Sequence, residues 1–391
     1  MKRARIFNII MKKSTIYYWF ILTLILPLLF PSCSEKVKME GTNKTFYVSH
    51  DYKPNRILLL NHNEKLFCIS YFEKTDKRIE ISNLCSNEKD VIPLPKNVSG
   101  KYMLSNNPDS IFIYDNIYNE IHLITNTGYQ ETLNMLTTLD QKMYEFYLPS
   151  QLYNNALYVS GYHSSNDYSK DNSIKAETSN LRQIVENERV FVFKNLFTDS
   201  IHVKQMLRTF VHSEIVKKAD YTSTLFLQTR IFNNDLICFH ANSNILYVFN
   251  RTTGDMEGEI KLSSEYSDLK APLIRLYSNK KERDDFLRKR QESAFHNGLI
   301  YNITYDTFRK LFFVTTLLPN EDFHYRDNLT FERDWTLIVL DDNYKTLGEF
   351  WFSGAEFDFR TIHPIKEGLL IKKKHKKNEN KKTEFSLFEV Y

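Results

Sequence analysis

The segment Glu321–Asp327 (EDFHYRD) combines carboxylate, imidazole, aromatic and guanidinium groups within seven positions. Aromatic rings offer a flat face to a sugar or a peptide, and an arginine beside carboxylates supplies directional hydrogen bonds. Binding residues concentrate on loops that a rigid scaffold carries, so this segment is a candidate ligand loop. A charged surface loop held by local ion pairs is the commoner meaning of such a segment. The candidate ligand residues are Asp322, His324, Tyr325, Arg326 and Asp327.

One histidine, His163, follows Gly161 and Tyr162 and lies beside the polar stretch Ser164–Glu188. Its place at the end of an apolar strand pattern (LYVSGYH) favours a position at the rim of the scaffold, so it joins the candidate ligand residues. A structural role is nevertheless the commoner one for a histidine in or beside a strand. The same structural explanation applies to His62, His122, His202 and His240.

The sequence contains no catalytic, phosphate-binding or metal-binding motif. It has no GxGxxG or GxxxxGK[ST] loop, no HExxH, no GxSxG elbow and no zinc-ligand spacing of cysteine and histidine. Glu356 and Asp358 alternate in GAEFDF, which would place both acids on one face of a strand. A catalytic acid and base need more than that spacing. We therefore predict no catalytic residue, no metal and no cofactor, and favour a protein that is not an enzyme.

Residues 1–32 predict a lipoprotein signal peptide. Lys12 and Lys13 precede the apolar run Ile16–Phe30, and Cys33 follows a small residue, as in the lipobox of bacterial lipoproteins. Lipidation of Cys33 would be followed by a polar tether over residues 33–55. An uncleaved anchor is the alternative, but the run is short for a span of about 20 residues and Pro27 interrupts it. The body is expected in the cell envelope, with the outer membrane or cell surface favoured over the inner membrane.

The excess positive charge of the chain lies in this N-terminal segment. The formal net charge is +4, but residues 1–32 carry five basic residues and no acid, which leaves 47 basic against 48 acidic residues. A near-neutral body gives no electrostatic support for nucleic acid as a partner. The basic run Lys372–Lys377 lies between two strand-like segments and is best explained as a solvated hairpin loop.

Strand patterns dominate the rest of the chain. Asn234–Leu262 has two apolar strands around an asparagine-rich turn, then a turn with Gly254 and a third strand, which is typical of a β-meander. Apolar strands that follow a polar turn begin six times, and the first two intervals are 45 and 46 residues. A four-stranded propeller blade needs about 40–50 residues. The six starts are Leu66, Ile111, Leu157, Leu236, Leu299 and Leu369.

These repeats predict an all-β fold over residues 56–391, a six-bladed β-propeller with insertions. The insertions are Ser164–Glu188, Asn279–Glu292, which has the charge pattern of a solvated helix, and Asn320–Arg333. A pair of β-sandwiches, which needs no equal repeat, is the alternative. The C-terminal segment Phe385–Tyr391 would close a ring by pairing with N-terminal sequence, which removes exposed strand edges.

Cysteines and tryptophans in apolar strands are expected to pack in the core. Cys68 and Cys238 fit buried free thiols, although Cys68 could instead pair with Cys85, which the sequence does not decide. Trp335 and Trp351 lie beside apolar neighbours, so core packing is favoured over stacking on a glycan.

Two phrases in the C-terminal half carry a resemblance to a known family. Tyr301–Val314 (YNITYDTFRKLFFV) and Leu337–Phe352 (LIVLDDNYKTLGEFWF), together with the lipobox-like Cys33, resemble the Bacteroidetes lipoproteins grouped as domain of unknown function 4221. The resemblance implies a six-bladed propeller and an envelope location. Its phrases are not catalytic motifs, so it implies no site residues.

The sequence therefore predicts a lipid-anchored envelope protein of unspecified role. We favour a non-catalytic propeller module that binds a glycan, a peptide or a partner protein. The alternatives are a propeller-fold glycan hydrolase or lyase, and a structural accessory of an envelope complex. The expected partners are the membrane, through the N-terminal lipid, and one of these ligands.

Overall fold

Antiparallel β-strands make up almost all of the regular structure in the described part of the chain in the computed structural model. Among the described residues, no helix has both the length and the apolar composition needed to span a membrane. The structure describes residues 37–73, 76–86, 88–100, 102–115, 120–134, 138–139, 142–153, 156–164, 189–195, 201–205, 227–240, 244–269, 281, 285, 296–320, 333–374 and 382–391.

The strands are numbered in chain order. The first nine are β1 (Met39–Ser49), β2 (Arg56–His62), β3 (Lys65–Phe72), β4 (Arg78–Asn83), β5 (Lys89–Pro93), β6 (Tyr102–Asn107), β7 (Ser110–Asp115), β8 (Glu120–Thr125) and β9 (Gly128–Asn134). The next nine are β10 (Thr138–Leu139), β11 (Lys142–Tyr153), β12 (Ala156–Ser164), β13 (Arg189–Asn195), β14 (Ile201–Gln205), β15 (Leu227–Phe232), β16 (Asp235–His240), β17 (Ile245–Asn250) and β18 (Met256–Lys261). The last seven are β19 (Leu299–Asp306), β20 (Leu311–Leu317), β21 (Trp335–Leu340), β22 (Thr346–Phe352), β23 (Phe357–Ile365), β24 (Gly368–Lys373) and β25 (Lys382–Val390).

Five four-stranded antiparallel sheets form the blades of a β-propeller arrangement: β2–β5, β6–β9, β15–β18, β19–β22, and β23–β25 with β1. The sequence predicted six such blades. The remaining sheet, β10–β14, has five strands because the two-residue strand β10 adds to its edge by pairing with the start of β11.

Six strands contact one another between neighbouring sheets and are called the axial strands below: β2, β6, β11, β15, β19 and β23. Strand β2 contacts β6 and β23, β11 contacts β6 and β15, and β19 contacts β23. In a propeller the strands at this position surround the central channel. Side chains that leave the axial strands toward the channel can therefore meet although they are distant in sequence.

The predicted strand starts fall on the strand that follows an axial strand in all cases except one. Leu66, Ile111, Leu157, Leu236 and Leu369 lie on β3, β7, β12, β16 and β24, respectively. Leu299 instead begins the axial strand β19, and the second strand of that blade is β20. The exception arises because β19 and β20 are both apolar, so composition alone does not tell them apart.

Turn residues explain how a chain with few glycines makes these hairpins. Asn63 and Glu64 both have positive φ, 49° and 58°, in the two-residue turn between β2 and β3. Asn233 has φ 52° in the turn between β15 and β16. Asparagine tolerates this backbone region better than most residues, so asparagine-rich pairs serve where Asn-Gly is usual.

The ring is closed by strands from the two ends of the chain, as the sequence predicted. Strand β1 pairs with β25 from Met39 opposite Val390 to Ser49 opposite Lys382. The ordered fold therefore begins before residue 56, within the segment predicted as a tether. The polar sequence of β1 gave little strand signal because main-chain hydrogen bonds to β25, rather than an apolar face, hold it.

The core lies between neighbouring sheets. One cluster joins Ile69 and Ile79 to Ile111 and Ile113 of the next blade. Two further clusters join β15–β18 to β19–β22, and β2 and β3 to the blade formed by β23–β25 with β1. Each of these blades therefore depends on its neighbours for burial.

The predicted insertions lie mostly outside the described residues. This applies to residues 165–188 and 321–332, and within Asn279–Glu292 residues 281 and 285 are helical.

Candidate functional site

The predicted ligand loop and lipidation site lie outside the described part of the chain and stay predictions. This applies to Cys33 and to all five loop residues between Asp322 and Asp327. The backbone of His163 lies on β12 opposite Tyr144, and its side chain is outside the description. Trp335 is fully buried against Phe352, as predicted, with ring centroids 4.3 Å apart.

Several other expectations are settled by the described residues. Trp351 is 48% exposed on the edge strand β22, so its assignment to the core is wrong. Cys68 and Cys85 are both free. The placement of Glu356 and Asp358 on one strand face is also wrong, because β23 begins at Phe357 and Glu356 lies in an exposed turn.

Polar and aromatic side chains of three axial strands come together at one place, which we call the axial cluster. Strand β15 contributes Arg230, β19 contributes Tyr301 and Asn302, and β23 contributes Asp358, Phe359 and Arg360. The charges of Arg360, Asp358 and Arg230 also influence the pKa of Tyr301. Three axial strands therefore contribute to this cluster.

Two irregularities in strand pairing determine the direction of the axial-cluster side chains on β19 and β23. The register of β19 against β20 shifts between Ile300 and Asn302, so Tyr301 is the extra residue of a β-bulge. The register of β23 against β24 shifts between Phe357 and Ile362, and Asp358, Phe359 and Arg360 lie within that interval. Bulges redirect side chains and are frequent next to functional sites.

The described partners of Arg230 are neutral groups. Its Nε and one terminal nitrogen donate to Oδ1 of Asn302 at 2.9 and 2.6 Å, and the other terminal nitrogen donates to the Thr229 carbonyl at 2.8 Å. Burial lowers the pKa of Arg230 to about 10, so it stays protonated at neutral pH. A half-buried cation with no carboxylate partner among the described residues is costly, which makes it a candidate for function rather than stability.

Tyr301 packs edge-to-face on Phe359, with ring centroids 4.7 Å apart. Burial raises the pKa of the Tyr301 phenol, so its hydroxyl keeps the proton. The pair places an aromatic ring and a hydrogen-bond donor close to Arg230.

Asp358 is the carboxylate of the cluster and is already engaged. It is 3% exposed and accepts hydrogen bonds from Nε and a terminal nitrogen of Arg360 at 2.7 and 2.8 Å. Burial by itself would raise the pKa of Asp358, but the hydrogen bonds and charge of Arg360, with Lys372 at 3.7 Å, outweigh it and lower that pKa. Asp358 is therefore an ionised partner of Arg360.

A second charged cluster lies where the chain passes from β1 to β2. The Glu80 carboxylate accepts hydrogen bonds from His50 at 3.0 Å and Arg78 at 2.9 Å, and pairs with Lys89 at 2.8 Å. Arg78 also pairs with Asp51 and Asp76 and borders a surface pocket of about 360 Å³. Because every charge here has an opposite charge beside it, this cluster fits a structural role better than the axial cluster does.

No group of three metal-ligating side chains occurs among the residues described. Sequence reasoning missed Arg230, Tyr301 and Arg360. One signal was available for Arg230, since an arginine inside the strand-like LQTRIF interrupts an otherwise regular pattern. The bulges that gather the other two have no sequence signature in this chain.

His363, further along β23, predicts a pH dependence of stability. Burial lowers its pKa from 6.5 to about 4, and its Nε2 has no partner among the described residues. Between these values the unfolded chain binds the proton and the folded chain does not, so the free energy of unfolding falls as the pH drops from 7 to 4. The expected loss from this residue is about 3 kcal/mol.

Urea unfolding of the wild type and of His363→Gln at pH 7 and pH 4 measures this loss. The wild type is expected to lose more stability than the variant over this range. Equal losses for the two proteins would contradict the assignment.

Comparison with known proteins shows a fold likeness. No family model matches the chain, and no curated protein matches it. A crystal structure of a DUF4221 family member from Bacteroides vulgatus superposes with a TM-score of 0.66 at 14% identity, over 92% of this chain and 99% of that one. A Bacteroides fragilis protein named as a candidate exported protein gives a TM-score of 0.46 at 10% identity, over 92% and 96% of the two chains. The chain thus shares the fold of a DUF4221 protein, a β-propeller arrangement.

Proposed function

We propose that this protein is a non-catalytic binding module of the cell envelope, a six-bladed propeller anchored by lipid on Cys33. The five-stranded sheet β10–β14 would be the sixth blade. Its axial strand β11 contacts the axial strands β6 and β15 on its two sides, which supports this count. The lipobox-like sequence around Cys33 supports the anchor.

The binding site of this module is the axial cluster. The observation that carries the proposal is the convergence of Arg230, Tyr301 and Arg360 from three axial strands, each partly open to solvent. Central positions on rigid propeller strands hold donors and aromatic groups in place before a ligand arrives, which reduces the entropy lost on binding.

A binding role is favoured over hydrolysis by the state of Asp358. A glycoside hydrolase of the common type needs two carboxyl groups, one of them protonated. In the described part of the cluster the one carboxylate, Asp358, has a lowered pKa and two hydrogen bonds from Arg360. It is therefore poorly suited to donate a proton near neutral pH.

Replacing Tyr301 by alanine is expected to weaken ligand binding by at least about tenfold, because it removes the aromatic face and the hydroxyl donor together. The measurement is a screen of envelope glycans and peptides with the purified full-length protein, followed by titration of the hits. Trp351→Ala, at an exposed aromatic on the edge strand β22, is the matched control and should retain affinity.

Mass spectrometry of the recovered ligand separates binding from turnover. An unaltered ligand that depends on Tyr301 supports the binding module. A cleaved ligand would replace the proposal with a hydrolase or lyase. Ligand binding that Tyr301→Ala does not weaken would show that the binding site is not the axial cluster.

A further inference from the structure

The described charges in and around the axial cluster are three cations and one carboxylate. The cations are Arg230, Arg360 and Lys372, and the carboxylate Asp358 pairs with Arg360 and Lys372. Asp358 pairs with Arg360 and lies near Lys372, and no described contact joins it to Arg230. The Glu80 cluster, by comparison, sets three acids against two cations and a histidine.

The hydrogen bonds of Arg230 leave part of its guanidinium available. A guanidinium has five N–H donors in a fixed plane. Three are used, two by Oδ1 of Asn302 and one by the Thr229 carbonyl. Each terminal nitrogen keeps one N–H without a partner among the described residues, and two such donors suit the two oxygens of a carboxylate.

The surroundings of Arg230 add contacts that suit a sugar ring. Tyr301 is half-buried, supported by Phe359, and keeps its hydroxyl proton. Its ring and hydroxyl can contact a saccharide while the guanidinium contacts an acidic substituent. Asn302 holds the guanidinium in one orientation before the ligand arrives.

We infer that the axial cluster binds an acidic saccharide, with the carboxylate of a uronic acid on Arg230 and the sugar ring beside Tyr301. This inference rests on the binding function proposed above and specifies its ligand class. An ionised carboxylate supplies the negative charge that no described side chain places beside Arg230, and the half-buried position of Arg230 strengthens that pairing relative to water.

The probes are D-glucuronate, its neutral methyl ester and acetate, titrated calorimetrically into the full-length protein at constant ionic strength. Glucuronate is expected to bind at least about tenfold more tightly than the ester, because only the acid can accept both guanidinium donors as an anion. Arg230→Gln should abolish that difference, and Arg230→Lys should reduce it because a lysine lacks the planar fork. Arg251→Gln, in the turn after β17, is the matched control and should bind like the wild type.

The possible results distinguish failure of the acidic-saccharide inference from failure of the proposed binding function. Equal affinity for glucuronate and its ester overturns the acidic ligand class, while hits that depend on Tyr301 in the separate screen would keep the binding module. Acetate binding through Arg230 without glucuronate binding also overturns the saccharide class. No binding of either acid overturns the inference outright. Arg230→Gln should melt close to the wild type, since no carboxylate in the described part of the chain pairs with Arg230. Lost binding is then not explained by unfolding.

Discussion

Replacing Glu80 by glutamine is expected to lower the free energy of unfolding by about 3–5 kcal/mol. Glu80 is 1% exposed, and its carboxylate is contacted by the side-chain nitrogens of His50, Arg78 and Lys89. Burial would raise the pKa of Glu80, but these three donors lower it, so the folded state holds it ionised. Removing the negative charge leaves the buried Arg78 guanidinium without its main buried partner, which costs more than the pair contributes when intact.

Chemical denaturation of Glu80→Gln measures the effect, and Glu384→Gln is the matched control. Glu384 pairs with Lys373 and Lys382 near the surface, at 3.0 and 3.2 Å, so its loss should cost less than about 1 kcal/mol. Similar costs for the two variants would show that the Glu80 cluster is not a main support of the fold. Because the folded pKa is lowered, the contribution of Glu80 is present above the ordinary glutamate pKa and is lost as the pH falls through the folded one.

The position of this cluster explains the size of the effect. His50 follows β1 directly, and β1 is the strand that joins the two ends of the chain. Arg78 also lies against the Phe72 ring, with its guanidinium carbon 4.5 Å from the ring centroid. The cluster therefore fixes the passage from the closing blade to the blade β2–β5.

Local sequence patterns predicted the strands well because propeller strands are made by local hairpins. The β-meander predicted over Asn234–Leu262 matches β16, β17 and β18. Closure by the last strand followed from the need to pair an exposed edge. Strand β1 lies in the segment predicted as a tether, because its polar residues pair with β25 through main-chain hydrogen bonds and give little apolar signal.

The axial cluster could not be predicted because its residues meet through the ring. Arg230 and Asn302 are 72 positions apart and lie on different sheets. The two bulges that expose Tyr301 and Arg360 depend on register against β20 and β24, which strand propensity does not encode. Sequence reasoning therefore favoured a charged loop, where unlike groups are visible side by side, over strand residues that come together only in the fold.

The two charged clusters differ in how their charges are paired, and this difference distinguishes a structural role from a binding role. In the Glu80 cluster the buried charges are paired with one another, so the cluster stabilises the ring and leaves little for a ligand to satisfy. At Arg230 a cation is held by an amide and a carbonyl, which fix its direction without neutralising it. Functional sites commonly retain such unfavourable arrangements because the ligand completes them.

Gly368→Ala is the second substitution with a large expected effect, at least about 3 kcal/mol in the free energy of unfolding. A Cβ on Gly368 would lie 2.1 Å from the main-chain oxygen of Phe388 and 3.1 Å from Cδ1 of Leu387. Phe388 pairs with Leu369 of β24 on one side and with Gly41 of β1 on the other. Its backbone cannot move away without breaking the strand pairing that closes the ring.

Gly258→Ala on the edge strand β18 is the control, because a Cβ there meets nothing within 4 Å. Its expected change is within about 0.5 kcal/mol of zero. Thermal and urea unfolding should show a much lower stability for Gly368→Ala than for Gly258→Ala. Hydrogen exchange of the β25 amides should show that Gly368→Ala loses protection first in the blade formed by β23–β25 with β1. If the two substitutions lower the free energy of unfolding equally, β25 can move to accommodate the added Cβ at Gly368. The pairing of β25 with β24 and β1 would then not be sensitive to this contact.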